Sequence, residues 1–172
     1  MERFLSTVCT QAWNECQDAG RSFADAVVEL HAVHPDKTTL IDAYGARFDE
    51  MMAGPIDGTV EILAALRARG VPLYALTNFS AETYPLALRR FEFLQWFRGV
   101  LVSGEERLLK PDPRIFALLL ERFAIPPAAA VYIDDRAQNI AAAAALGLHA
   151  IQFTEPAALR RALEALGLLA AR

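Results

Sequence analysis

Cysteine is nearly missing from this chain, with Cys9 and Cys16 the only two among 172 residues. Their spacing matches no zinc pattern, so reduced structural thiols are expected in place of a disulfide framework or a metal centre. Long apolar runs are missing too. None reaches the ~18 residues a transmembrane helix needs, and the opening stretch MERFLSTVCTQAWNE has no basic segment leading into an apolar one, as a signal peptide would. A cytoplasmic protein with no membrane partner is the expectation. An excess of positive charge is equally lacking: 17 Lys and Arg stand against 21 Asp and Glu, a formal net charge of −4. The basic residues are scattered, with only short pairs such as Arg89-Arg90 and Arg160-Arg161, which argues against nucleic acid as the main partner. His31, His34 and His149 lie apart from one another, so no histidine cluster is offered for catalysis.

What the chain has in quantity is apolar surface. Hydrophobic residues make up 54% of it and charged ones 22%, enough for one domain, or a domain with a small appendage, that buries about 70% of its unfolded surface. Much of this is alanine, as in IAAAAALGL, which suits helices packed closely on another layer. Residues 1–52 read as wholly helical, with apolar positions recurring at three and four and Ser22 as a helix-capping candidate. The character changes at AGPIDG, where Gly54, Pro55 and Gly58 punctuate the chain before the helix TVEILAALRARG.

From there four short apolar runs, at 71–77, 99–103, 129–134 and 148–153, alternate with helical stretches. Runs that are continuously apolar are buried on both faces, as in a parallel sheet flanked by helices. The expected architecture is α/β: a doubly wound, Rossmann-like parallel sheet over 53–172 with a helical cap over 1–52. No solenoid repeat or low-complexity linker interrupts it.

In such sheets ligands bind beyond the carboxyl ends of the strands. The first run ends in LTNFS, presenting Thr77 and Asn78. After the second comes RLLKPDPRIF, with Lys110 held extended by Pro111 and Asp112-Pro113 forming a helix start. The third, in VYIDDRAQNI, ends in Asp134 and Asp135. Two adjacent carboxylates at a water-poor strand end repel each other unless a cation intervenes, and Mg²⁺ suits carboxylate oxygens. A plainer reading is that one aspartate caps the helix RAQNIAAAAALG.

Taken in this order, LTNFS, LKPDPRIF and VYIDDRAQNIAAAAALG resemble the second, third and fourth motifs of the haloacid dehalogenase superfamily. The resemblance covers about residues 55–172, and the helical 1–52 are similar to the small cap of one branch of that superfamily. It implies a Mg²⁺-dependent phosphatase acting on a small phosphorylated metabolite through an aspartyl-phosphate intermediate. Thr77 and Asn78 would bind the phosphoryl group, Lys110 would stabilise nucleophile and phosphate, Asp135 would coordinate Mg²⁺, Asp134 would do so directly or through water, and Asn139 would support the loop. Cap side chains such as Trp13 and Asn14 would choose the substrate, and the protein would be a monomer or homodimer. A 2-haloacid dehalogenase is the enzymatic alternative. A catalytically inactive binding domain is the alternative of another class.

The superfamily's first motif, an aspartate nucleophile closing a central first strand, has no counterpart. No Asp-x-Asp occurs in the chain, and Asp18, Asp25, Asp36, Asp42 and Asp49 fall in helices or turns of the cap. The expectation is an N-terminally truncated, inactive chain in which the strands ending at Thr77 and Asp134 stand either about two strand spacings apart, each ~4.8 Å, or newly paired.

Overall fold

The computed structural model describes residues 2–170. They form two compact units, one of residues up to Ala53 with Thr77–Arg90 and Leu101–Leu109, the other of Gly54–Leu76, Phe91–Val100 and the residues from Lys110 onward.

Within the first unit the described residues up to Met51 are helical, as their periodicity predicts: α1 (Glu2–Thr7), α2 (Gln11–Asp18), α3 (Phe23–Val33), α4 (Thr38–Ala46) and α5 (Phe48–Met51) follow in order. Ser22 caps α3, its hydroxyl accepting the Asp25 N–H at 3.1 Å, which satisfies one of the helix's orphan donors. Val8, Cys9, Trp13, Phe23, Ala26, Leu30 and Ile41 make the core. Both cysteines are free, and burial pushes the Cys9 thiol up to about 11. Trp13 is 7% exposed and meets Tyr44 edge-on at 5.3 Å.

The second unit holds most of the α/β part. After α6 (Asp57–Ala68) come β1 (Tyr74–Thr77), α7 (Tyr84–Arg90), β2 (Gly99–Val102), α8 (Ser103–Glu106), α9 (Pro113–Arg122), β3 (Val131–Asp134), α10 (Ala137–Ala145), β4 (His149–Gln152) and α11 (Pro156–Ala165). The strands are shorter than the apolar runs, and Pro72 explains the late start of β1, since proline brings no N–H to a ladder. Asp112 and Pro113 start α9 as their order predicts, with an Asp112 oxygen 2.9 Å from the Arg114 N–H.

β3 pairs with β4 in parallel, Val131 opposite His149 and Asp134 opposite Gln152. α6 and α11 cover one face of this pair through Ile62, Leu66, Leu159 and Leu163, packed with Val131, Ile133 and Ile151. Successive side chains of a strand point to opposite faces, so Tyr132 turns the other way and meets Phe116 of α9 at 5.3 Å.

The sheet is divided. β1 pairs with β2 and β3 with β4, and among the described residues no ladder joins β1 to β3. Between them lies a cleft of about 770 Å³. Of the two expected arrangements, new pairing of β1 with β3 is not found among the described residues.

Candidate active site

The carboxyl ends of β1 and β3 meet at one side chain. The Lys110 ammonium donates to the Leu76 carbonyl oxygen at 3.0 Å and to Asp134 Oδ2 at 2.8 Å. The side chains of Lys110 and Asp134 are 12% and 6% exposed. Proline at 111 keeps Lys110 out of α9, and the side chain is left to reach back to the strand ends.

Asp134 is enclosed by donors. Its Oδ2 also accepts from the Tyr132 hydroxyl at 2.8 Å, and its Oδ1 accepts from the Arg136 N–H at 2.9 Å and from Asn139 Nδ2 at 2.8 Å. Burial alone would raise its pKa, but the Lys110 ammonium and the bonds from Arg136, Asn139 and Tyr132 outweigh burial and hold it at about 2. The same arrangement raises the Tyr132 phenol, first by burial and then by its bond to a carboxylate it must not repel. The plainer reading of the aspartate pair is met in part, because Asp134 satisfies the N–H of Arg136 just ahead of α10.

Asp135, one residue further on, points outward and is exposed. Its backbone carbonyl accepts from Gln152 Nε2 at 3.0 Å. The two neighbours therefore differ: Asp134 has all four of its acceptor positions filled by protein donors, and Asp135 keeps its carboxylate towards solvent. Among the described residues no three His, Cys, Asp or Glu side chains gather as a metal cage. Mg²⁺ is commonly held by one or two carboxylates with water and substrate phosphate. Asp135 fits that manner of binding, whereas Asp134 could enter a metal shell directly only by giving up a protein donor.

Thr77 and Asn78 are half-buried and belong to the first unit. Thr77 follows directly on Leu76, the residue whose carbonyl holds Lys110. In the same unit Asn14 links two polar neighbours, accepting from the Tyr44 hydroxyl at 3.1 Å and donating to Asp18 at 3.2 Å. Burial, and then the charge of Glu15, push Asp18 up to about 6. Trp13, expected to help choose a substrate, is instead part of that unit's core, because its ring is enclosed by Phe23 and Tyr44.

Tyr132 is the site residue that the sequence reading missed. A signal for it existed, since residues two apart on a strand share a face and VYID sets a phenol beside Asp134.

The haloacid dehalogenase-like hydrolase family matches residues 6–147. The chain is 36% identical over 111 residues to acyl-CoA dehydrogenase family member 10 of Mus musculus, covering 62% of this chain and 10% of the mouse protein. It is 32% identical over 120 residues to a phosphoserine phosphatase of Thermus thermophilus, covering 69% of this chain and 47% of that enzyme. It thus spans a tenth of the first relative and about half of the second. In fold it is similar to a HAD family enzyme of Bacteroides thetaiotaomicron in complex with magnesium and inorganic phosphate, with a TM-score of 0.66, 21% identity, and coverage of 80% of this chain and 72% of that one. With the Lys110–Asp134 pair at the strand ends and the family match over most of its length, this chain belongs to the haloacid dehalogenase-like hydrolases.

Proposed function

We propose that these residues form the larger part of a Mg²⁺-dependent phosphatase for a small phosphorylated metabolite, whose nucleophilic aspartate lies on a strand outside the 172 residues. The observation that carries the reading is the buried Lys110 ammonium, fixed by Asp134 Oδ2 and the Leu76 carbonyl at the shared carboxyl end of β1 and β3. A lysine anchored in this way is an oriented point charge in a poorly hydrated place, able to stabilise an anion without reorganising. Asp134 keeps it aimed, while Asn139 and Tyr132 help to keep Asp134 ionised. Thr77 and Asn78 would supply donors to phosphoryl oxygens. Asp135 would hold Mg²⁺, with Asp134 contributing through water. The bound ion would neutralise charge on the phosphoryl group and orient it for attack.

The relatives support a hydrolase, and a phosphatase is among them. The nucleophile's absence makes this chain alone inactive on the proposed reading. The test compares the chain with a longer reading frame that includes an upstream strand and aspartate, assayed for phosphate release from a panel of small phosphorylated metabolites. Activity confined to the longer form and abolished by EDTA or Asp135→Asn is the expected result. EDTA-resistant activity on a 2-haloacid would select dehalogenation. Inactivity of both forms on every substrate would leave the binding-domain alternative.

A further inference from the structure

Three segments distant in sequence meet at one buried hydroxyl in the first unit. Ser103, the first residue of α8, is fully enclosed. Its Oγ accepts from the Phe79 N–H at 2.9 Å and donates to the Asp18 carbonyl, at the end of α2, at 2.6 Å. A serine hydroxyl has one proton, and Asp18 takes it in preference to the Phe79 carbonyl at 3.4 Å. That carbonyl accepts instead from the Gly104 N–H at 3.1 Å. Both main-chain groups of Phe79 are thus held by Ser103 and Gly104, one residue past Asn78 and two past Thr77.

The approach is close. A Cβ on Gly104 would stand 2.5 Å from the Ala81 amide nitrogen and 2.9 Å from the Phe79 oxygen, and one on Gly20 would stand 2.9 Å from the Gly104 carbonyl oxygen. Backbone therefore lies on backbone at this joint. Asp18 reaches the same loop a second time, since its carboxyl accepts from the Ser80 N–H as well as from Asn14 Nδ2. Ser80 then accepts the Glu82 N–H at its hydroxyl and the Tyr84 N–H at its carbonyl. The chain leaving β1 is pinned at residue 79 from α8 and at residue 80 from α2. A serine serving only its own helix would bond within that helix; this one bonds residues 24 and 85 positions away.

A loop that offers donors to an anion binds it better when already ordered, because ordering on binding costs conformational entropy. We propose that Ser103 is the positioning residue of the phosphoryl-binding loop, its hydroxyl joining the end of α2 to the Phe79 amide and so fixing Thr77 and Asn78 before substrate arrives. The inference rests on the phosphatase reading of Thr77 and Asn78. Ser103 acts through Phe79 and not by contact with the substrate.

The test uses the whole chain with Mg²⁺ and inorganic phosphate as the probe, and reads backbone amides by NMR. In Ser103→Ala the Phe79 amide should exchange about tenfold faster or more. Phosphate should shift the Thr77 and Asn78 amides with a Kd raised about fivefold or more. Ser103→Cys keeps the shape and weakens both bonds, so it should show the same changes to a smaller degree, and it serves if the alanine variant unfolds. Ile41→Val, which trims the core of the same unit, should lower stability and leave the phosphate Kd within about twofold. A Kd unchanged in the Ser103 variants, or raised as much by Ile41→Val, would make Ser103 an ordinary core group and overturn the proposal. So would a Phe79 amide that stays equally protected in the Ser103 variants. Thr77 and Asn78 amides left unshifted by phosphate in the unaltered chain would overturn the phosphatase reading and the proposal with it. Phe79 exchange, read without phosphate, tells the two failures apart.

Discussion

The Lys110 ammonium and the Asp134 carboxylate form a buried pair, 2.8 Å apart, at the point where two unjoined strands end. Lys110 also ties down the Leu76 carbonyl, so one side chain serves as the link between β1 and β3 in a divided sheet. Removing one partner of such a pair leaves a buried charge uncompensated. Lys110→Ala is expected to cost about 3 kcal/mol. Urea denaturation at pH 7 measures it, and a double-mutant cycle with Asp134→Asn should return a coupling well above the ~1 kcal/mol of exposed ion pairs. A coupling near zero would contradict the geometry.

Tyr132→Phe removes one donor from Asp134 Oδ2 and leaves Lys110 in place. A hydrogen bond to a charged acceptor contributes about 1.5–3 kcal/mol, and the fold should lose an amount near the lower end of that range because three donors remain. The pH dependence has a definite sign. The folded pKa of Asp134, about 2, is below the ordinary value of 3.8, so its contribution is present above pH 4 and is lost as pH falls towards 2. In Tyr132→Phe the folded pKa should rise towards 3.8, so the acid-side loss should be smaller and should be complete at a higher pH, visible in denaturation curves collected between pH 2 and 5.

Asp18 behaves in the opposite sense. Burial raises its pKa from 3.8 to about 6, so the folded state holds a proton that the unfolded chain has already released. Stability of the first unit should therefore fall as pH rises from 4 to 6 and level off above. The change is on the order of 2 kcal/mol by the free energy of a pKa shift. Asp18→Asn can still accept from Asn14 and has no charge to bury. It should flatten the slope between pH 4 and 6, and an unchanged slope would show that another group is responsible.

Gly99, the first residue of β2, has no room for a side chain. A Cβ there would come within 2.2 Å of the Phe123 ring, which is stacked on Tyr74 at 5.1 Å. Gly99→Ala must displace that ring or bend β2, at an expected cost of about 1–3 kcal/mol. Thermal denaturation measures the loss. Restoration by the smaller Phe123→Leu in the same chain would assign it to the ring and not to the strand's own conformation.

Local chemistry was legible before any coordinates. Ser22 and Asp112-Pro113 act on backbone groups two or three residues away, so neighbouring sequence was enough to find both helix starts. The order of Thr77, Lys110 and Asp134-Asp135 at strand ends was legible for a similar reason, because apolar runs and their polar termini are written consecutively. Strand lengths were less legible. The apolar run at 71–77 carries Pro72, and only the part beyond it joins a ladder. Trp13 was misjudged as a substrate-facing side chain because an aromatic at helical spacing serves a core as readily as a ligand. Its burial against Phe23 and Tyr44 depends on residues 10 and 31 positions away.

By itself the amino-acid sequence determined that helices and short buried strands alternate, which residues stand at the strand ends, and that no aspartate pair suits a nucleophile motif. Those properties follow from periodicity, backbone preference and composition, all of them local. Only the tertiary structure decided that Lys110 takes Asp134 and Leu76 as partners, that Asp134 is saturated by donors while Asp135 faces solvent, and that β1 and β3 border an open cleft. Three of the donors to Asp134 are local, but the Lys110 bonds and the cleft are relations between segments 24 or more residues apart, set by how helices hold strands that do not pair with each other.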